Sequence, residues 1–255
     1  MIALEVEGLQ KSYTKDGRVL EILDIAHFAA REGEFITVIG PSGCGKSTFL
    51  HIMGGFIPAD RCAIRVYGRD VRGPGPDRGM MFQEFALFPW KTVAGNVAWG
   101  LETQGVPRAE IEAVVQRQLE MTGLADFRNH YPAELSGGMK QRVALARVLA
   151  FDPKVLLMDE PFGALDAQTR EAMQEEVMRL WARTRKTIVF VTHDIEEAVY
   201  LGDRVVVLTA RPGRIREEVA IELPRPRELD IKKSARCHEY RNYVWDLIRS
   251  ESQKR

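Results

Sequence analysis

The sequence predicts an α/β fold, and three observations carry that prediction. Short apolar runs of strand length recur between longer stretches of helical periodicity, the first run leads straight into a glycine-rich loop, and another ends on two adjacent carboxylates. The runs at Phe35–Ile39, 155–158, 188–191 and 205–208 are almost continuously apolar. Such runs suit parallel strands covered on both faces, with the intervening helices as crossovers.

At 255 residues, 45% of them hydrophobic, the chain has material for one large domain with a buried core. Lys plus Arg and Asp plus Glu both total 36, so the formal charge is zero and nothing calls for a polyanionic partner. No nucleic acid binding is expected. Cys44, Cys62 and Cys237 are odd in number and form no CxxC pair, which argues against a disulfide framework or structural zinc and for a reducing compartment. The first residues carry Glu5 and do not read as a secretory leader. No run approaches the roughly 18 apolar residues of a membrane-spanning helix. The expected place is the cytosol.

The first chemical motif is Gly40-Pro41-Ser42-Gly43-Cys44-Gly45-Lys46-Ser47, which fits GxxxxGK[ST] and sits between a strand and a helix-compatible segment. Its glycines let backbone N–H groups turn around phosphate oxygens, and the helix start adds a partial positive charge. Lys46 neutralises β and γ phosphates, and Ser47 offers a hydroxyl to magnesium, a hard cation. Cys44 lies inside this loop, so bulky thiol reagents are expected to inhibit and ATP to protect.

Residues 84–149 read differently, with helical windows at 92–101, 110–121 and Gly137–Leu149 and no convincing strand. They are expected to form a helical subdomain inserted into the sheet. After it, Val155-Leu156-Leu157-Met158-Asp159-Glu160 is a strand ending in two acids at the carboxyl edge, where open α/β sheets bind ligands. The pair is either a solvated terminus or a working one. Beside the phosphate loop, Asp159 suits a magnesium partner acting through water or from behind the ion's own ligands, and Glu160 the group that orients and polarises the attacking water. The 188–191 run leads to His193 at the same edge, within reach of a γ-phosphate, while Asp194 and Glu197 have the spacing of a capping box. Near the end, Leu223-Pro224-Arg225-Pro226-Arg227 reads as an extended linker. A last helix follows it, with Tyr240, Val244, Leu247 and Ile248 on one stripe.

Leu135-Ser136-Gly137-Gly138-Met139-Lys140-Gln141-Arg142 opens a helix that Ser136 can cap and whose glycines leave N-terminal amides open to an anion. Read alone, it is equally an ordinary Ser-capped helix. Together with residues 40–48, Gln83 in Met81-Phe82-Gln83-Glu84, the strand ending at Glu160, Ala164-Leu165-Asp166 and His193, it resembles the ABC ATPase family over nearly the full length. The resemblance implies a RecA-like P-loop NTPase core of parallel sheet, with an N-terminal antiparallel β portion and an inserted α-helical subdomain. It implies ATP and Mg²⁺ as cofactors, bound through residues 40–48 including Thr48, with Ser47, Gln83 and Asp159 toward the metal and Glu160, His193, Gln83 and Lys46 in catalysis. Tyr13 stands where the family stacks an aromatic ring on adenine, a contact worth about 1–3 kcal/mol. The alternative for Tyr13 is surface packing.

The resemblance also implies a head-to-tail homodimer in which Ser136, Gly137, Gly138 and Gln141 reach the partner's ATP and Ala164, Leu165 and Asp166 line the dimer contact. Phe85-Ala86-Leu87-Phe88-Pro89-Trp90 either receives a coupling helix from a membrane subunit or is subdomain core. Pro74 through Gln83, Leu87-Phe88-Pro89-Trp90 and Thr209-Ala210-Arg211-Pro212-Gly213-Arg214-Ile215 resemble the nitrate, sulfonate and taurine importer branch. That implies a peripheral subunit on the cytoplasmic face of the membrane, working with permease subunits and indirectly with a periplasmic or extracellular solute-binding protein to take up a small anionic solute. The short tail leaves no room for the regulatory β-domain of the sugar-importer branch. The alternative is a soluble ABC-type ATPase, which typically brings tandem cassettes, long insertions or basic surfaces. Two segments depart from the family: Asp60-Arg61-Cys62-Ala63, where a turn is expected to differ, and the tail from 230. The resulting division is 1–83 and 150–222 for the ATP-binding core, 84–149 for the helical subdomain, and 223–255 for linker and last helix.

Overall fold

The computed structural model describes residues 1–252. In chain order it holds β1 (Ile2–Lys15), β2 (Arg18–Arg31), β3 (Phe35–Ile39), α1 (Lys46–Met53), β4 (Arg61–Val66), β5 (Arg69–Asp70) and β6 (Arg78–Met81). The helices α2 (Val93–Thr103), α3 (Arg108–Met121) and α4 (Gly137–Leu149) follow, then β7 (Val155–Asp159), α5 (Ala167–Thr184), β8 (Thr187–Val191), α6 (Ile195–Leu201), β9 (Arg204–Leu208), β10 (Ile215–Ala220) and α7 (Ala235–Ser252). The predicted apolar runs become β3, β7, β8 and β9, and the helical windows become α2, α3 and α4 with ends shifted by two residues or fewer.

Two sheets form. One has the order β2-β1-β4-β5 and is antiparallel; the other, β10-β9-β3-β8-β7-β6, is parallel except for β10 at its edge. Alternation along the parallel strands divides the core into two layers. Val155, Leu157, Val189 and Val191 pack with Phe49, Leu50 and Met53 of α1 and with Leu4, Leu9 and Phe28 of the antiparallel sheet. Leu156, Met158, Ile188 and Phe190 face Leu145 and Val148 of α4 and Val177 and Trp181 of α5. Each such side chain contributes roughly 1.5–3 kcal/mol through burial. A separate cluster of Val97, Leu101, Leu119 and Val143 joins α2, α3 and α4, so α4 belongs to both the helical cluster and the sheet layer. Among the described residues no helix is long and apolar enough to cross a membrane.

Three local expectations change. Residues 61–63 open β4 and pair with β1, rather than forming a turn, and half-buried Cys62 packs on the core with its thiol pushed up to about 11 by burial. Asp60 takes hydrogen bonds from the Ser12 amide at 2.6 Å and hydroxyl at 2.8 Å, which sets where the strand starts. At α6 only half of the capping box forms. Asp194 Oδ1 accepts from the Glu197 amide at 3.1 Å, but the Glu197 carboxylate is buried and accepts instead from Thr192 Oγ1 at 2.5 Å and Gln174 Nε2 at 2.9 Å.

The proline-flanked stretch before α7 has no regular structure, yet it is a clamp rather than a loose linker. Arg227 is 4% exposed; its Nη1 donates to the carbonyls of Val199, Tyr200 and Gly202, and its Nη2 to those of Ile221 and Leu223. Arg225 lies 4.3 Å over the Trp181 ring and donates to Asp203 Oδ1 at 2.6 Å. These bonds satisfy carbonyls at the end of α6, and beyond them α7 lays Val244 and Leu247 into a cluster with Val205, Val207 and Val219, flanked by Tyr240 and Ile248. The predicted stripe therefore docks. Burial, and after it the neighbouring Arg225, pull the Arg227 guanidinium down to about 10, and the carbonyl cage with the nearby Asp203 carboxylate supports its charge. Replacing it strands those acceptors. Arg227→Met is expected to lower unfolding free energy in urea by about 2–4 kcal/mol, against less than about 0.5 kcal/mol for the exposed control Arg183→Met. Equal, small effects of both would show that the cage contributes nothing.

Candidate active site at the carboxyl edge of the sheet

Strand register decides what meets at this edge. Val191 of β8 is paired with Val38 of β3 on one side and with Asp159 of β7 on the other. The residues that follow, 40–48, Glu160 and His193, therefore leave the sheet at one level. They border a cleft of about 570 Å³ lined by Ser42, Gly43, Gly45, Lys46, Ser47, Thr48, Glu160 and His193, with Tyr13 and Ile22 on one wall and Arg211 on another.

The glycine loop adopts left-handed backbone at Gly43 (φ 74°) and Gly45 (φ 101°), and a Cβ at Gly45 would lie 2.8 Å from Leu23 Cδ2. Only glycine fits both demands. Lys46 is 7% exposed and its Nζ donates to the Gly40 carbonyl at 3.0 Å and the Pro41 carbonyl at 3.4 Å, so the cation is fixed inside the turn of the loop. Ser47 Oγ donates to Asp159 Oδ1 at 2.9 Å. Burial pushes the Asp159 carboxyl up, while the Ser47 hydroxyl and nearby His51 draw it down. His51 Nε2 stands 3.2 Å from Asp159 Oδ2 but off the hydrogen-bonding direction.

Glu160 sits at φ 41°, a strained backbone for a non-glycine residue, held by its amide donating to the Val191 carbonyl at 3.0 Å. That backbone turns the carboxylate back over the cleft, where Oε2 lies 2.9 Å from His193 Nδ1. Tyr13 is 44% exposed and lines the cleft, with the Lys11 ammonium over one face of its ring, 4.8 Å from the centroid. Gln83 is exposed two residues beyond the end of β6 and outside the cleft lining.

The signature lies elsewhere in the chain. Ser136 Oγ caps α4 by accepting from the Met139 amide at 3.3 Å, and Ser136 and Gly137 are exposed. Gly138 abuts Thr169 at the start of α5, where an added Cβ would come within 2.7 Å of Cγ2. Gln141, expected to contact a partner's nucleotide, is buried within the single chain. It is 1% exposed and its amide points at Met81 Sδ, 3.8 Å away, because position 141 falls one turn into α4 on the face turned to the sheet. Leu165, expected at a dimer contact, is likewise 6% exposed and packed in the core, whereas Ala164 and Asp166 are exposed. Asp166 caps α5, accepting from the Thr169 amide at 3.0 Å, and that bond lowers its carboxyl pKa.

The apolar stretch after Gln83 splits in the same way. Phe85 and Leu87 pack against the core, Arg147 donates to the Phe85 and Ala86 carbonyls, and buried Asn96 binds Phe88 through both its amide and its carbonyl. Trp90 and Trp99 remain 71% and 40% exposed, with Trp99 packed on Phe88 at 4.8 Å between ring centroids. Sequence reasoning missed Ile22, His51 and Arg211. None belongs to a motif around the site, and each arrives through tertiary packing.

A family model described as ABC transporter matches residues 23–163. An ABC transporter ATP-binding protein of Methanocaldococcus jannaschii is 48% identical over 98% of this chain and 92% of its own length. The nitrate import ATP-binding protein NrtD of Synechocystis is 45% identical over 96% of this chain and 95% of its own. The taurine import ATP-binding protein TauB of Roseobacter denitrificans is 43% identical over 97% and 96%. Among solved structures, a dimeric ATP-binding cassette in a post-hydrolysis state with ADP and phosphate superposes with a TM-score of 0.74 at 31% identity, covering 87% of this chain and 100% of that one.

The loop cysteine faces inward, contrary to the expectation from its position. Cys44 is 0% exposed, and burial raises its thiol above the ordinary value, outweighing the nearby Lys46. Thiolate is the reacting species, so both access and ionisation oppose alkylation. In native protein at neutral pH a maleimide is expected to leave Cys44 unmodified with or without ATP, and to label it fully in denaturant, as read by peptide mass spectrometry. Rapid native labelling suppressed by ATP would place the thiol in the cleft.

Proposed function

The chain belongs to the ABC transporter ATP-binding family and is an ATPase, and from that premise we propose that it is the ATP-hydrolysing subunit of an importer for a small anionic solute. The observation that carries the catalytic part is the convergence of the Glu160–His193 pair and the Ser47–Asp159 pair on the cleft walled by the glycine loop. ATP lies with its adenine against Tyr13 and its phosphates in the loop. Loop amides and Lys46 take up phosphate charge as it builds. Glu160 accepts a hydrogen bond from the attacking water, and His193 holds that carboxylate and faces the γ-phosphate.

The donor set fits magnesium. Ser47 Oγ and Asp159 Oδ1 lie 2.9 Å apart and are hard oxygen donors that would hold the ion, while Gln83, exposed past the end of β6, would join them only by turning into the cleft. Magnesium supplies charge neutralisation to the β and γ phosphates. No cluster of three or more His, Cys, Asp or Glu suited to a metal occurs among the described residues, in keeping with a metal held jointly with nucleotide.

The separation of the signature from the cleft supports a dimer. Ser136 and Gly137 are exposed on the helical side and are not part of the cleft lining, so in one copy they have no nucleotide to contact. In a head-to-tail homodimer the signature amides of one copy cap the γ-phosphate of the other, as Ala164 and Asp166 meet across the contact. The dimeric solved relative supports that assembly. Exposed Trp90 and Trp99 beside Phe88 offer an aromatic face to a permease subunit, which supports a peripheral position on the cytoplasmic side of a membrane. The solute class rests on the names of the nitrate and taurine import relatives, with a separate binding protein delivering the solute.

Glu160→Gln keeps the shape of the side chain and removes its charge. ATP affinity is expected to stay within about threefold while steady-state phosphate release falls by about 10²–10³. Turnover near that of the parent protein would remove Glu160 from this role.

A further inference from the structure

Arg211 belongs to none of the motifs that define the site, yet it borders the cleft. It sits at the turn between β9 and β10, a hairpin fastened to the glycine loop and to β2. The Gly213 amide donates to the Ile22 carbonyl at 2.7 Å, the Asp24 amide donates to the Gly213 carbonyl at 3.1 Å, and a Cβ at Gly213 would lie 2.2 Å from the Cys44 carbonyl oxygen. Within the turn, Thr209 Oγ1 donates to the Pro212 carbonyl at 2.8 Å and accepts from the Arg214 amide at 2.9 Å. Arg214 is itself tied to Asp24 at 2.9 Å. The hairpin tip is thus a rigid mount.

From that mount Arg211 Nε donates to the Gly43 carbonyl at 3.1 Å, and Nη2 would lie 2.9 Å from a Cβ at Gly43. The guanidinium therefore covers the residue at which the loop turns left-handed, in the cleft that Tyr13 and Ile22 also line. Its Nη groups have no hydrogen-bond acceptor among the described residues, while the other cation of the cleft, Lys46, is engaged by two loop carbonyls. A guanidinium anchored through Nε and open at both Nη groups is pre-organised to grip phosphate oxygens.

We propose that Arg211 is a further nucleotide-binding residue, contacting the phosphate chain of ATP from the β9–β10 hairpin and supplying a second fixed cation opposite Glu160. The proposal rests on the cleft being the ATP site. It makes the hairpin part of the nucleotide site and gives the Arg-Pro-Gly turn a chemical purpose.

The test separates a charge contact from a mere tie to Gly43. Arg211→Gln keeps an N–H that can reach the Gly43 carbonyl but loses the charge; Arg211→Lys keeps the charge. Affinities for a non-hydrolysable ATP analogue are measured by equilibrium titration, with Lys46→Ala as the control for the cleft. Arg211→Gln is expected to weaken binding about tenfold, the scale of one charge-assisted hydrogen bond, and Arg211→Lys by about threefold or less. The thermal midpoint of both is expected to match the parent, because the side chain is exposed. Parent-like affinity in the Gln variant would reduce Arg211 to a loop tie, and a Lys variant as weak as Gln would show that charge is not what matters. Unimpaired binding by Lys46→Ala would remove ATP from this cleft and the proposal with it.

Discussion

The register that places β8 between β3 and β7 is the constraint on which the site depends. Val38, Val191 and Asp159 stand side by side, so three consecutive strand ends deliver the glycine loop, the acid pair and His193 to one level. A slip of one residue would turn every side chain of a strand to the opposite layer, exchanging Leu156 and Met158 with Val155 and Leu157 across the sheet. The two clusters that fix the register, one around Phe49 and one around Trp181, are therefore also what aligns Ser47 with Asp159. Packing and chemistry share one geometric cause.

Much of this was legible because it is local. Continuous apolar runs gave four of the five parallel strands, GxxxxGK[ST] gave the loop, and Ser136 was recognisable as a helix start. What escaped were the contributions decided by which way a helix faces or what a distant turn touches. Gln141 lies within a motif, but the helical period carries it round to the sheet, and Leu165 likewise serves the core. Cys44 sits in a phosphate loop, yet alternation of the tight turn points its sulfur inward. The proline-rich stretch reads as an extended linker because nothing in sequence shows that Arg225 finds a ring, and Arg227 three carbonyls, far back in the chain. Arg211 could be seen in a recurring turn, but its meeting with Gly43 depends on a hairpin folding back over β2.

In the function proposed above, one copy supplies the means to bind and polarise, with Lys46 and the loop amides for the phosphates and Glu160, beside His193, for the water. It leaves the exposed helix start at Ser136 and Gly137 without an anion. A helix N-terminus with open amides stabilises negative charge only when that charge is brought to it. We therefore propose that the complete site is divided between two copies, and that closure of the dimer joins binding to hydrolysis.

Mixed dimers test that division most directly. In one pairing a copy carries both Lys46→Ala and Ser136→Arg while its partner is intact; in the other, each copy carries one of the two substitutions. If the site is shared, the second pairing keeps one whole site and the first keeps none, so ATP trapped per dimer in a Glu160→Gln background is expected to be about one and about zero. The reverse order, with the doubly substituted pairing retaining the nucleotide, would place the signature and the loop on the same ATP within one chain and contradict the account.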